Sequence, residues 1–365
     1  MRILMLNWRD TKSRDYGGAE MITEVIASTL AKRGHKVTLF VSGKSGNKGQ
    51  PKGVDIIRKG SVNTVYLHAF AHMLKNRKRY DMVIESVNSV PFLSTLIFDP
   101  KEVFILVHHF AGKNLFHATN PVKAIAAFIG EAIIPIAYRN ANFVALSKFV
   151  RAQLLSRGVP AKNISFYYLN YINPGKMAEE KWNKPSIITV GRLVRYKRVD
   201  MLIKIFYRLM NDKRINARLV IVGGGKEEGR LVSLCDSLKI KDKVVFAGRV
   251  SERAKMRMLE RSWVFATASM IEGYGLSAVE AEACGLPAVA FANGGLKESI
   301  KNGYSGFLVP EGEEEAYANK LALLLSDAKL RKRMGRNARK YSLSMGEHGL
   351  DRLINRIEAV HLPQK

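Results

Sequence analysis

Two successive series of short apolar runs, each run followed by a helix-length stretch, set the strongest limit on how this chain folds. The first series opens with RILMLN, a loop through YGGAE, the helix-period stretch MITEVIASTLAKRGH and the run KVTLFVS. Gly34 ends the helix, and the quick return to an apolar run marks a βαβ unit. The runs are continuously apolar rather than alternating, as strands of a parallel sheet covered on both faces must be. DMVIES, VFILVHH and NFVALS continue the series, and SIITVGR, RLVIVGGG, KVVFAGR, WVFATAS and PAVAFANGG form a second one. Between them, NPGKMAEEKWNKPS loses periodicity and carries two prolines. The expectation is an α/β chain of two doubly wound domains, residues 1–180 and 181–345, with a deep cleft lined by strand C-terminal ends. The last stretch, residues 346–365, is amphipathic with no strand after it, and is expected to return to the first domain.

Composition excludes several classes. A hydrophobic content of 47% with 25% charged residues, in 365 residues, fits a globular protein of two domains. The opening MRILMLNWRD reads as a strand rather than a signal peptide. AIAAFIGEAIIPIAY, the most apolar later stretch, is interrupted by Glu131 and Pro135 and falls short of the roughly 20 residues a spanning helix needs. Cys235 and Cys284 lack metal-ligand spacing and read as buried small hydrophobes in a reducing, cytoplasmic setting.

The formal charge is +27. It is spread evenly, +13 over residues 1–180 (25 basic, 12 acidic) and +14 over the rest (34 basic, 20 acidic). Attraction to anions and a merely solvated surface both account for it. The cluster KNRKRY, after VYLHAFAHML, suits a helix resting on an anionic membrane as well as one whose final cations complement its dipole.

The loops after the strands carry the chemistry. In YGGAE, Gly17 and Gly18 stand before a helix, where positive φ and free N–H groups would serve an anion. In VGRLVRYKRVD, Arg192 offers a planar fork and Lys197 a point charge, the pair a diphosphate needs. VGGGKEEGR departs from the dinucleotide fingerprint, because Gly229 comes one place late after Gly223 and Gly225. No acidic residue closes the next strand, so a nicotinamide-dependent dehydrogenase is disfavoured.

In EGYGLSAVEAEA a helix starting at Leu276 would leave the N–H groups of Gly275, Leu276 and Ser277 unpaired. Each such bond to a charged ligand contributes about 1.5–3 kcal/mol. Glu280, one turn in, is placed to accept from ribose hydroxyls. Glu272, before Gly273 and Tyr274, would reach the ligand's other end, and Glu282 is expected to face solvent.

These residues resemble the retaining glycosyltransferases of family 4, which have two facing Rossmann-like domains (the GT-B architecture). The matching segments are GGAE, GHKVTLF, VGRLVRYK, LVIVGGG, VVFAGRV, EGYGLSAVEAEACGLPAVA, GGLKESI and NGYSGFLVP. The resemblance implies a nucleotide-diphosphate-sugar donor, with Arg192 and Lys197 on the diphosphate, Glu280 on the ribose and Glu272 on the donor sugar. It further implies that FAGRV, with Arg249 and Val250, frames the base. Gly223 and the Gly273–Ser277 turn would complete the donor pocket, and Gly17 and Gly18 would approach the phosphates. His108, ending VFILVHH, matches the histidine placed near the reacting sugar, and the sequence does not separate it from His109. NYIN, at Asn170 to Asn173, departs from the family's Asn-Gly-Val-Asp.

With no Asp-x-Asp pair in the sequence, neither a metal nor another cofactor is expected. The acceptor is expected to be a glycan or lipid-linked hydroxyl, with peripheral contact to the cytoplasmic face of an anionic membrane. The competing readings are a polyanion- or nucleic-acid-binding protein, for which no aromatic-rich signature or recognition helix is found, and a sugar-nucleotide epimerase of the same architecture.

Overall fold

The computed structural model describes residues 1–13, 16–44, 51–112, 121–169, 172 and 180–360. The chain forms two compact units: Met1–Tyr171 together with Gly346–Lys365, and Ile172–Met345.

The first unit is built on a parallel sheet. Its strands are β1 (Arg2–Leu6), β2 (Lys36–Val41), β3 (Val54–Arg58), β4 (Met82–Val87), β5 (Val103–Val107), β6 (Asn142–Ala145) and β7 (Ile164–Phe166), in the order β3-β2-β1-β4-β5-β6-β7. Helices α1 (Gly18–Lys32), α2 (Val65–Asn76), α3 (Pro121–Ala137) and α4 (Lys148–Ser156) connect them. Ile3 to Leu6 and Phe104 to Leu106 are wholly buried, which is why these runs are apolar at every position.

The second unit repeats the plan. Strands β8 (Ser186–Val190), β9 (Arg218–Val222), β10 (Val244–Gly248), β11 (Val264–Thr267), β12 (Ala288–Phe291) and β13 (Gly306–Val309) lie in the order β10-β9-β8-β11-β12-β13, again parallel. Helices α5 (Val199–Asn211), α6 (Glu228–Ser237), α7 (Glu252–Arg261), α8 (Leu276–Ala283), α9 (Leu296–Ser299), α10 (Glu314–Ser326) and α11 (Ala328–Met345) cover it. One face of the sheet packs against Leu202, Phe206 and Leu321, the other against Ala278, Ala281 and Leu286. In both sheets the strand order reverses beside the first strand, between β1 and β4 and between β8 and β11. The crevices at such points are where open α/β sheets take ligands.

Helix α12 (Gly349–Ala359) belongs to the first unit and packs on α1. It buries Leu353, Ile354 and Ile357 completely. Arg33, just past α1, donates to Asp351 at 2.8 Å and Asn355 at 2.5 Å, and His35 bonds Glu358 at 2.8 Å.

Two details depart from the sequence reading. The division falls at Tyr171/Ile172 rather than at 180/181, ahead of the aperiodic polar stretch. The helix after β8 starts at Val199 instead of Lys197, because Arg195–Lys197 form a 3-10 turn and Arg198 takes a left-handed backbone, φ 48°. Of NYIN and the NPGKMAE part of the expected linker, only Ile172 lies within the described residues. Among the described residues, no helix is long and apolar enough to cross a membrane.

Because α12 supplies core side chains to a unit whose other elements precede it by the length of a domain, Ile354→Ala is expected to destabilise that unit by about 2–5 kcal/mol. Urea unfolding followed by circular dichroism measures it. A loss under about 0.5 kcal/mol, the range of a surface substitution, would show that α12 is not part of that core.

Candidate functional site

The second unit gathers most of the sequence-predicted residues around the β8/β11 switch point. The loop after β8 and the loop after β11 meet there: the Met270 N–H donates to the Tyr196 carbonyl at 2.9 Å, and Lys197 Nζ pairs with Glu272 Oε1 at 2.5 Å. Both side chains are largely withdrawn from solvent, 18% and 14% exposed. Burial works against the charge on Lys197, but Glu272 and then Tyr196 outweigh it, so its pKa is raised and the ammonium persists. Arg192, across the same turn, donates from Nη2 to the Tyr196 hydroxyl at 2.7 Å.

Glycines let these loops nest. A Cβ at Gly223 would stand 1.9 Å from the Gly191 carbonyl oxygen, and one at Gly225 would stand 2.2 Å from that of Leu193. A Cβ at Gly295 would be 2.2 Å from the Gly273 carbonyl oxygen, so the loop after β12 closes on the loop after β11 only because that residue is glycine. The Gly295 N–H then donates to the Glu272 carbonyl at 2.8 Å. Arg249, exposed after β10, has its Nε within 3.1 Å of the point a Gly224 Cβ would occupy, and Val250 packs into the core beside α7.

Helix α8 starts at Leu276, as the sequence pattern requires, and Gly275 caps it with a left-handed backbone, φ 84°. The Gly275 carbonyl accepts from Ala278 and Val279. Among the described residues, the N–H groups of Gly275, Leu276 and Ser277 find no acceptor, which leaves the positive end of the helix open to an anion.

Three residues nearby behave differently from expectation. Glu280 is nine-tenths buried and accepts from Lys255 Nζ at 2.8 Å, so the carboxylate expected to meet a ribose carries a cation of its own. Sequence reading missed Lys255; the signal was its place four before Leu259, in the buried register of α7. Burial disfavours its ammonium, yet Glu280 and Glu252 raise its pKa. Glu282, expected to be solvated, is fully buried. Two residues from Glu280 on a short helix, it turns into the fold, where the Ser305 hydroxyl donates to it at 2.7 Å and burial lifts its pKa well above the ordinary value. The Tyr274 side chain is buried too, beside Tyr341 and Glu282, so only the backbone of the Gly273–Gly275 turn is left to serve a ligand.

In the first unit, His108 follows β5, and its Nε2 bonds the Ser86 hydroxyl at 2.9 Å. Ser86 in turn accepts from Thr23 at 3.1 Å, and Thr23 accepts from Asn7 at 3.1 Å. Burial pushes the His108 imidazolium down to about 4, against the pull of Glu20, so the ring is neutral at ordinary pH. The glycine pair is used otherwise than expected: neither Gly17 nor Gly18 takes a positive φ, and the Gly17 N–H donates to Glu20 at 2.7 Å instead of waiting for an anion. Glu20 itself is buried and accepts from Trp8 and Arg9. Although burial raises its pKa, Arg9 more than offsets this and holds it below the ordinary carboxylate range.

Comparison with known proteins finds the same division into two parts. Residues 176–341 match the family model of glycosyl transferases group 1, and residues 16–168 that of glycosyltransferase family 4. An uncharacterized glycosyltransferase of Methanocaldococcus jannaschii is 26% identical, covering 93% of each chain. N-acetyl-alpha-D-glucosaminyl L-malate synthase of Bacillus anthracis is 31% identical, over 42% of this chain and 39% of its own. Among solved structures, Anabaena HepE in complex with UDP and glucose superposes with a TM-score of 0.79 at 19% identity, covering 98% of this chain and all of the other. WaaG, a glycosyltransferase involved in lipopolysaccharide biosynthesis, gives 0.78 at 19% identity over 97% of this chain and 99% of its own.

The buried Glu282 predicts a pH signature. A carboxyl whose folded pKa is raised above its ordinary 4.5 adds stability that is complete below that value and is lost as pH climbs toward the folded pKa. Glu282→Gln, neutral throughout, should therefore match the native protein near pH 4 and exceed it near pH 8 in urea titrations. A stability difference that stays constant across that range would refute the assignment.

Proposed function

The chain belongs to the group 1 glycosyltransferases of family 4, and we propose that it moves a sugar from a nucleotide-diphosphate-sugar to an acceptor hydroxyl with retention of anomeric configuration. The observation that carries this reading is the open amino end of α8 beside the Lys197–Glu272 pair, with Arg192 across the same turn. Departure of the leaving group builds negative charge on the diphosphate. Backbone amides and two cations held in place before reaction stabilise that charge without reorganising. Lys197 keeps spare N–H donors while bound to Glu272, since an ammonium offers three. The complexes of Anabaena HepE with UDP and with UDP-glucose support a nucleotide sugar as the donor class.

In this reading Glu280, oriented by Lys255, accepts from the ribose hydroxyls, while the backbone of residues 246–250 frames the base. Glu272 contacts the sugar. His108, neutral and fixed by Ser86, hydrogen-bonds the sugar rather than donating a proton. No divalent metal is required, because the charge it would supply comes from Arg192, Lys197 and the helix end. The acceptor is a glycan or a lipid-linked hydroxyl, and the buried, unpaired Cys235 and Cys284 fit a reducing, cytoplasmic setting.

A thermal-shift screen against UDP-, GDP- and ADP-sugars identifies the donor, since a ligand at a hundred times its Kd stabilises by about 2.7 kcal/mol. With that donor, Arg192→Ala and Lys197→Ala are each expected to lower kcat roughly 100-fold or more, and EDTA should leave the native rate unchanged. Near-normal turnover in both variants would sink the diphosphate assignment, and loss of activity in EDTA would sink metal independence.

A further inference from the structure

Helix α3 is apolar on both sides. Its inner side packs into the first unit through Ala124 and Ile134. Glu131 is also turned inward: it is 3% exposed and accepts from the Ser89 hydroxyl and from the N–H groups of Ala111 and Gly112, each at 2.9 Å. The outer side presents Val122 (78% exposed), Ile125 (51%), Phe128 (44%), Ile129 (52%), Ile133 (40%) and Ile136 (78%). At 100° per residue these six fall in one sector of the helix. No acidic side chain stands among them, because Glu131 is used within the fold. A contiguous apolar face of this kind on a folded protein marks a contact surface.

The border of the face says what it meets. At the C-terminal end of α3 the Thr95 hydroxyl donates to the Ala137 carbonyl at 2.8 Å. Next to it Leu96 is 68% exposed, and Arg77 Nε donates to the neighbouring Ile97 carbonyl at 3.1 Å. Arg77 begins a basic run in which Lys78 and Arg79 are exposed, as is Lys75 before it; Arg139 is exposed just past α3. Among the described residues the acids next to this basic run are Glu102, paired with Arg77 at 2.5 Å, and Asp99. Cations therefore outnumber free acids beside the apolar face. A second copy seated there by two-fold symmetry would bring two such borders together within a chain pair carrying +27 each. An anionic lipid surface satisfies both features at once.

We propose that α3 is a membrane-docking helix: its outer face enters the headgroup–acyl boundary of an anionic bilayer, and the basic run at its end contacts lipid phosphates. Such helices sit about 5–10 Å into the interface. Docking of this kind goes beyond sugar transfer and does not depend on it. It places the first unit against the lipid, where a lipid-linked acceptor is confined to two dimensions.

Flotation of the purified full-length chain with phosphatidylcholine vesicles, with and without about a third phosphatidylglycerol, tests it independently of any activity. The native protein is expected to float with the anionic vesicles, and far less so in 1 M salt, where the Debye length falls to about 3 Å. Ile129→Glu with Ile136→Glu, and separately Lys78→Glu with Arg79→Glu, should each lower the partition at least tenfold while leaving the melting temperature unchanged. Should the double isoleucine variant melt early, Ile136→Glu alone, at a residue 78% exposed, is expected to show the loss of binding without the loss of stability. Undiminished binding by the isoleucine variants would overturn the proposal, leaving general charge as the cause. So would a dimer, detected by light scattering, that these variants disperse while the native protein ignores vesicles.

Discussion

The ion pair between Lys197 and Glu272 is the interaction on which the second unit's site depends. It spans the point where the strand order of the sheet reverses, tying the loop after β8 to the loop after β11. Both groups are mostly out of water, so neither is well solvated without the other; removing one partner of a buried pair costs about 3–5 kcal/mol. The pair therefore fixes the approach of two loops that belong to different βα units. In doing so it holds a cation beside the open amino end of α8, the arrangement a diphosphate needs.

The same neighbourhood shows how one short helix gives two buried acids different partners. Glu280 is buried against the Lys255 ammonium. Glu282, two residues later, is buried against a hydroxyl, where the neutral form is favoured. The difference is the partner, since both are deeply buried. The nested glycines let the loops close on one another: Gly223, Gly225 and Gly295 each bring backbone where any side chain would collide.

In the first unit the polar groups are spent mainly on one another. Asn7, Thr23, Ser86 and His108 form a chain of hydrogen bonds at the carboxyl ends of β1, β4 and β5, and Glu20 closes the amino end of α1 from within. Such a network holds a neutral imidazole in one position. The outer side of the same unit is the reverse: α3 leaves large aliphatic groups in solvent beside cations.

The alternation of short, mostly apolar runs with helix-length stretches determined the two parallel sheets, since strands covered on both faces, such as KVTLFV and RLVIV, are apolar over most of their length. Local pattern also determined the start of α8, because Gly275 before a helix-forming run leaves little choice of boundary. Tertiary structure decided what lies on the far side of each residue. Lys255 reads as one more surface lysine until α7 packs on α8. Glu282 reads as solvated until Ser305 arrives from a distant turn. These are contacts between groups whose separation along the chain carries no signal, and the partner met on burial decides whether the charge is kept. A pattern of residues can announce a helix end, but only packing chooses which partner it meets.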